Sequence, residues 1–209
     1  MLRNKPWYLL YLFLIAHAVP AQNFQAARQP QQVQEFLKKS ADNTESIQAK
    51  FTEEKKMSVL KGVQKASGNF YFKKQDRMRW EQKLPDPYII LIDGAAVRIK
   101  DGGKEKNLEG TRMAQQIRML ILGLINGNFT EDKSFEKLYL EHATAYQVRL
   151  LPRNKRLKAI YQEIRLIFDK KSGILEQLTF IEKGGDRRDM LFYDQVINKP
   201  LAESLFSKF

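Results

Sequence analysis

The side chains that could carry covalent chemistry are few, and their spacing works against it. The 209-residue sequence has two histidines and no cysteine. Thiol nucleophiles, CxxC redox pairs, disulfide frameworks and cysteine-based zinc sites are therefore excluded, as is the lipid-bearing cysteine of a lipoprotein. His17 follows an amino-terminal apolar run, so His142 is the single imidazole expected in a processed chain. A catalytic triad or an HxxxH-type metal site would lack its partners. His142 itself, in the stretch 139–144, reads as a surface or packing residue. The neighbouring carboxylates Glu53 and Glu54 fall in an alternating stretch, where successive side chains point to opposite faces and cannot share a substrate. No GxSxG, P-loop or GxGxxG pattern occurs. Neither an enzyme nor a metal or cofactor site is expected.

Charge and hydropathy frame what is left. There are 36 Lys and Arg against 24 Asp and Glu, a net +12, with 43% hydrophobic and 11% aromatic residues. That apolar content predicts a folded chain despite its charge. A basic start (Arg3, Lys5), an apolar run from Trp7 to Ala16 and the small residues Val19 and Ala21 read as a secretory signal, the run being well short of the ~20 residues of a spanning helix. Residues 1–21 are expected to be cleaved near Ala21, leaving one domain over 22–209 with a charge of +10. An uncleaved anchor is the alternative. In an exported protein the basic surface suggests acidic partners or lipid headgroups. The densest cluster (Arg153, Lys155, Arg156, Lys158) lacks interleaved aromatics and reads as a solvated turn, so nucleic acid is not an expected partner.

The elements that must position any site are mostly strands. Val33, Phe36 and Leu37 recur at helical spacing and predict an amphipathic helix over Gln31–Ala41. The period then becomes two. Ile47, Ala49 and Phe51 alternate with polar residues, as do Phe70 and Phe72, then Met78 and Trp80. Tyr88–Ile92 runs into Asp93-Gly94, a hairpin signal, and Val97 and Ile99 resume the alternation. Further strands are expected over 146–150, 163–168, 175–182 and 189–194, with turns at Gly102-Gly103, Ser172-Gly173 and Gly184-Gly185. The fold class is mainly β (α+β), an antiparallel meander.

A second helical stretch, 111–125, is apolar nearly all round. Met113, Ile117, Leu120, Ile121 and Leu124 form a stripe, but Met119, Leu122 and Ile125 fall off it, and only Arg118 interrupts the middle. Such a helix is covered on both sides. It is either a helix buried in the core or a lid across the mouth of a curved sheet.

The order of motifs carries a family resemblance. The amino-terminal helix, the strand ending at Phe51, Gly68-Asn69-Phe70-Tyr71-Phe72-Lys73-Lys74, Arg77-Met78-Arg79-Trp80-Glu81, Pro85 and Ile92-Asp93-Gly94 resemble the periplasmic outer-membrane lipoprotein carriers of the LolA family. The run Gly184 to Phe192, Asn198-Lys199-Pro200-Leu201 and Phe206 is similar to the family's carboxyl-terminal part. The resemblance implies an incompletely closed antiparallel β-barrel whose helical lid encloses a hydrophobic cavity. It implies a carrier that takes acylated lipoprotein or a related lipid conjugate from an inner-membrane ABC-type donor, shields it across the periplasm and delivers it to an outer-membrane acceptor, as a monomer. Ten buried methylenes at ~0.8 kcal/mol each would contribute on the order of 8 kcal/mol before ordering costs.

Carried onto this sequence, the resemblance and the strand parity assign the lipid-binding cavity to Phe51, Phe70, Phe72, Met78, Trp80, Ile90, Ile92, Val97 and Ile99. The lid takes Ile117, Met119, Leu120, Leu122 and Leu124. The family's lid latch, usually Arg followed by Pro, corresponds here to Lys74 followed by Gln75. Lys lacks the planar guanidinium fork, and Arg77 or Arg79 could replace it, although Arg79 shares a strand face with Glu81. The chain ends soon after Phe206, and delivery steps that use a longer carboxyl-terminal extension are not expected. A sensor or interaction module of the same fold, regulating an envelope response without cargo, is the alternative function, and an enzyme centred on His142 ranks behind both.

Overall fold

The structure, a computed structural model, describes residues 23–59, 62–111, 118 and 121–209. The expected signal segment, most of the 111–120 half of the expected lid and residues 60–61 lie outside them. Twelve strands form one antiparallel sheet: β1 (Gln25–Ala26), β2 (Ser46–Lys56), β3 (Val63–Lys73), β4 (Arg77–Leu84), β5 (Tyr88–Asp93), β6 (Ala96–Asp101), β7 (Lys104–Asn107), β8 (Phe135–Glu141), β9 (Ala145–Pro152), β10 (Tyr161–Asp169), β11 (Leu175–Glu182) and β12 (Arg187–Ile197). Two meanders, β2 to β7 and β8 to β12, join through the β12–β2 pair. β1 and β7 are the outer edges of the sheet. The barrel is thus incompletely closed, with few helices, as the family resemblance implies, and its strands follow the antiparallel meander that alternation and turns predict.

The alternating pattern produces the wet and dry faces. Along β2, Ala49, Phe51 and Glu53 are buried while Gln48, Lys50, Thr52 and Glu54 are exposed. The cross-strand pairs Phe51↔Gly68, Phe51↔Phe192 and Phe70↔Trp80 put the large apolar residues of four strands on the concave side. Gly68 is required by that packing. A Cβ there would lie 1.9 Å from the Glu81 carbonyl oxygen and 2.8 Å from the Phe51 ring. Register shifts at Ser67/Gly68 and Tyr193/Val196 mark bulges that increase local twist and bend their strands.

Helix α1 (Pro30–Asp42) begins with Pro30, whose fixed φ suits the first turn. It buries Val33 and Leu37 against the concave side. Residues 121–125 are helical and lead into a 3-10 turn (Asn128–Thr130). Gln34 Nε2 donates to the Thr130 carbonyl at 3.1 Å, and Gly127 sits where a Cβ would come within 2.8 Å of the Ala41 methyl. The two helical coverings therefore close on each other by near backbone contact.

Three expectations change. The basic cluster 153–158 is a short exposed helix (Lys155–Ile160) rather than a turn, because the Asn154 side chain accepts from the Leu157 N–H at 2.8 Å and caps it. The hairpin after β5 turns on Gly94-Ala95, since Asp93 still pairs with Ala96. Strands β1, β7 and β8 were not expected. β7 reads Lys104-Glu105-Lys106-Asn107 and is exposed throughout, so no apolar period reveals it.

Candidate functional site

Where the concave face meets the two helical coverings, the described residues line a cavity of about 740 Å³ that opens to solvent. Leu37 and Ala41 of α1, Ile121, Leu124 and Ile125 of the second helix, and Phe129 close one end. Phe70, Trp80, Ile90, Leu178, Phe180, Met190 and Phe192 form the sheet wall. The aromatics interlock. Phe51 and Trp80 lie 4.1 Å apart between ring centroids, and Phe70 packs edge-on to both Trp80 (6.0 Å) and Phe192 (5.7 Å), geometries that add about 1 kcal/mol each to plain burial.

Of the residues assigned from the sequence, Phe70, Trp80, Ile90 and Leu124 line this cavity. Phe51, Phe72, Met78, Ile92 and Val97 share its side of the sheet but are fully buried in the surrounding core. Ile99 is partly buried opposite Ile90. Leu122 is buried in the core beside Leu124. Ile117, Met119 and Leu120 lie outside the described residues.

The fastenings differ from a single basic latch. Among the described residues, the Lys74 ammonium donates to the Asp42 carbonyl and the Glu45 carboxylate, so it clips the end of α1. Arg77 is paired with Glu203, and Arg79 donates to the Lys208 carbonyl at 2.7 Å and to Glu81 at 3.1 Å. Both arginines hold the carboxyl-terminal turn (Ser204–Ser207) on the outer face, where Phe206 is buried. The connection to the second helix comes from Asp76, in the β3–β4 turn at φ 59°, a left-handed conformation that Asp tolerates better than most residues. Its carboxylate accepts from Arg118 at 3.1 Å and from Asn126 Nδ2 at 3.2 Å. Arg118, the charge in the middle of the apolar stretch, is thus a tether, and the acid lies in the turn between two strands of the sheet.

The opposite end of the cavity is polar, which the sequence reading missed. Glu53, Lys55, Gln64, Gln82, Tyr88, Tyr161, Glu182 and Arg188 surround it, with Gln64 and Asp86 exposed to solvent. Glu53 was read only as one of an adjacent pair, yet it shares the parity of Ala49 and Phe51 and so faces inward. Burial pushes its carboxyl up from the ordinary range, and the charges of Arg188 and Lys55 oppose that without cancelling it. Tyr88 is raised by burial first and then by the Glu53 charge. The Trp80 indole N–H leans toward the Tyr88 oxygen, favouring the phenolate, but stays outside hydrogen-bond geometry and is unpartnered. Among the described residues, no three His, Asp or Glu side chains gather as metal ligands, and no helix is long and apolar enough to cross a membrane.

Comparison with known proteins places this half-barrel in one family. An outer-membrane lipoprotein carrier protein of Pseudomonas paraeruginosa is 23% identical over 146 residues, covering 69% of this chain and 68% of its own. Among solved structures, the MucA/MucB complex of Pseudomonas aeruginosa aligns at a TM-score of 0.50 and 13% identity, over 84% of this chain and 60% of that one. A LolA superfamily protein of Nitrosomonas europaea aligns at 0.46 and 12%, over 86% and 97%. Residues 42–208 match the family described as outer membrane lipoprotein carrier protein LolA, spanning β2 to the carboxyl-terminal turn, and the chain belongs to that family.

Proposed function

We propose that this protein is a periplasmic carrier of acyl chains, exported by the leader 1–21, which is cleaved near Ala21. It holds the chains of a lipoprotein or related lipid conjugate inside the half-barrel between an inner-membrane ABC-type donor and an outer-membrane acceptor. The single observation that carries this reading is the cavity of about 740 Å³ with its aromatic wall. Apolar chain transferred there from water gains roughly 0.8 kcal/mol per methylene, and transfer needs no bond made or broken. Family membership supports it. Isolation from the periplasm followed by mass spectrometry of bound material should find lipid, and Trp80→Glu should abolish it by placing a charge in the wall. Protein that is consistently empty and also takes up no lipidated protein would sink the reading. The mass of the exported chain checks the leader.

A second reading, an interaction module without cargo, is favoured by one observation: the MucB fold neighbour is seen in complex with MucA. It predicts stable association with a membrane regulator and indifference to Trp80→Glu.

A further inference from the structure

The apolar cavity ends in groups that an alkyl chain does not need. The concave face of β2 runs Ile47, Ala49, Phe51 and then changes character at Glu53 and Lys55. Glu53 is 8% exposed, lines the cavity, and has no hydrogen bond or ion pair with any described residue. Two N–H donors on the same wall, Trp80 Nε1 and Arg188 Nε, are also buried without a hydrogen-bond partner. Arg188 Nε is ion-paired with Glu182 at 3.5 Å, and the charges of Arg188 and Lys55 act on Glu53 without bonding it. Register places these groups together: Glu53 pairs with Met190, Lys55 with Arg188, and Tyr88, next to Trp80, feels the Glu53 charge. A carboxylate that lines the cavity with no hydrogen bond of its own costs stability unless something outside the chain completes it.

Resting on the acyl-carrier reading, we propose that this end of the cavity reads the polar head of the cargo and selects chains attached through an N–H-bearing amide, with Glu53 as the specificity-determining acceptor. A secondary amide offers one donor and one acceptor on adjacent atoms. Its N–H meets the Glu53 carboxylate, and its carbonyl faces the positive side chains of Lys55 and Arg188 that line the same end. An ester of the same shape has the carbonyl but no donor, and leaves Glu53 desolvated and unpaired. A free carboxylate brings a second negative charge against Glu53 where the dielectric is low. The alkyl chain then runs along the Phe70, Trp80 and Phe192 wall toward the helical end.

The test uses three probes of equal chain length, N-methyl hexadecanamide, methyl hexadecanoate and hexadecanoate, each displacing the neutral dye phenylnaphthylamine from the exported protein. The amide is expected to bind about tenfold more tightly than the ester, the effect of one unmet charged acceptor. In Glu53→Met the ester is expected to match the amide. The wild-type ratio stands by itself if that variant folds poorly. Equal affinities of amide and ester for the wild type overturn the head-group inference while leaving the carrier reading intact. Tightest binding of hexadecanoate also overturns it, assigning the end to Arg188. If none of the three displaces the dye, the carrier reading falls and this inference with it.

Discussion

At the scale of single residues, Gly68 and Glu53 pull stability in opposite directions. Gly68 has no room for a side chain, because a Cβ would overlap the Glu81 carbonyl and the Phe51 ring. Gly68→Ala is expected to lower the free energy of unfolding by about 1–3 kcal/mol, the range for overpacking, measured by urea denaturation. Glu53 is held protonated more readily in the fold than in the unfolded chain, chiefly by burial. A carboxyl with a raised folded pKa leaves stability intact below its unfolded value near 4.5 and erodes it as pH rises through the folded value. Glu53→Gln should therefore be the more stable protein at pH 7, by about 1 kcal/mol. Thermal melts should show the difference disappearing at about pH 4. A constant gap from about pH 4 to 7 would mean that the carboxyl is not buried.

At the scale of elements, the question is what keeps the coverings on the sheet. Asp76 receives both Arg118 and Asn126, but its side chain is 41% exposed, so the ion pair contributes only about 0–1 kcal/mol to global stability. Asp76→Ala should leave the melting temperature nearly unchanged while speeding amide hydrogen exchange in residues 121–126, and added salt should speed the wild type in the same direction. Lys74→Ala should act at the other covering, raising exchange at the end of α1 where Lys74 holds the Asp42 carbonyl. Identical exchange profiles for the two variants would show that the coverings open as one unit. Two weak clips on two helices suit the proposed carrier, which closes over a chain and later releases it.

At the scale of the whole molecule, the sheet's outer face carries a charge network, and its concave face is apolar up to the polar end at Glu53 and Arg188. Glu163 is buried on that outer side between Arg149 and Arg165, with bonds of 3.0 and 2.7 Å. Burial pushes its carboxyl up, but the hydrogen bonds from Arg149 and Arg165 outweigh it and hold the carboxyl below the ordinary range. The sign is the reverse of Glu53. This stabilisation is present above about pH 4.5 and is lost as pH falls through the folded value. Glu163→Gln should cost about 1 kcal/mol at pH 7, since both arginines are partly wet, and the cost should vanish in acid melts.

The sequence alone determined the main strands with period-two alternation and which of their residues share a face, because alternation and turn chemistry are local properties of the chain, while the inward sense of Phe51, Phe70, Trp80 and Ile90 came with the family resemblance. The order of those motifs was enough to suggest the family. Strand β7 stayed hidden, since a fully polar edge strand has no apolar period and forms through its pairing with β6. Which inward residues border empty space, and which are sealed in the core around it, was decided only by the curvature of the sheet and the seat of the two helices. Phe72 and Phe70 have the same parity, yet Phe70 lines the cavity and Phe72 does not. Tertiary structure likewise separated Glu53 from Glu54. Parity sent them to opposite faces, but only the approach of β12 and Tyr88 turned Glu53 into a buried, unpaired carboxyl at the end of an apolar cavity, because desolvation depends on what the fold brings near and not on neighbours in the chain.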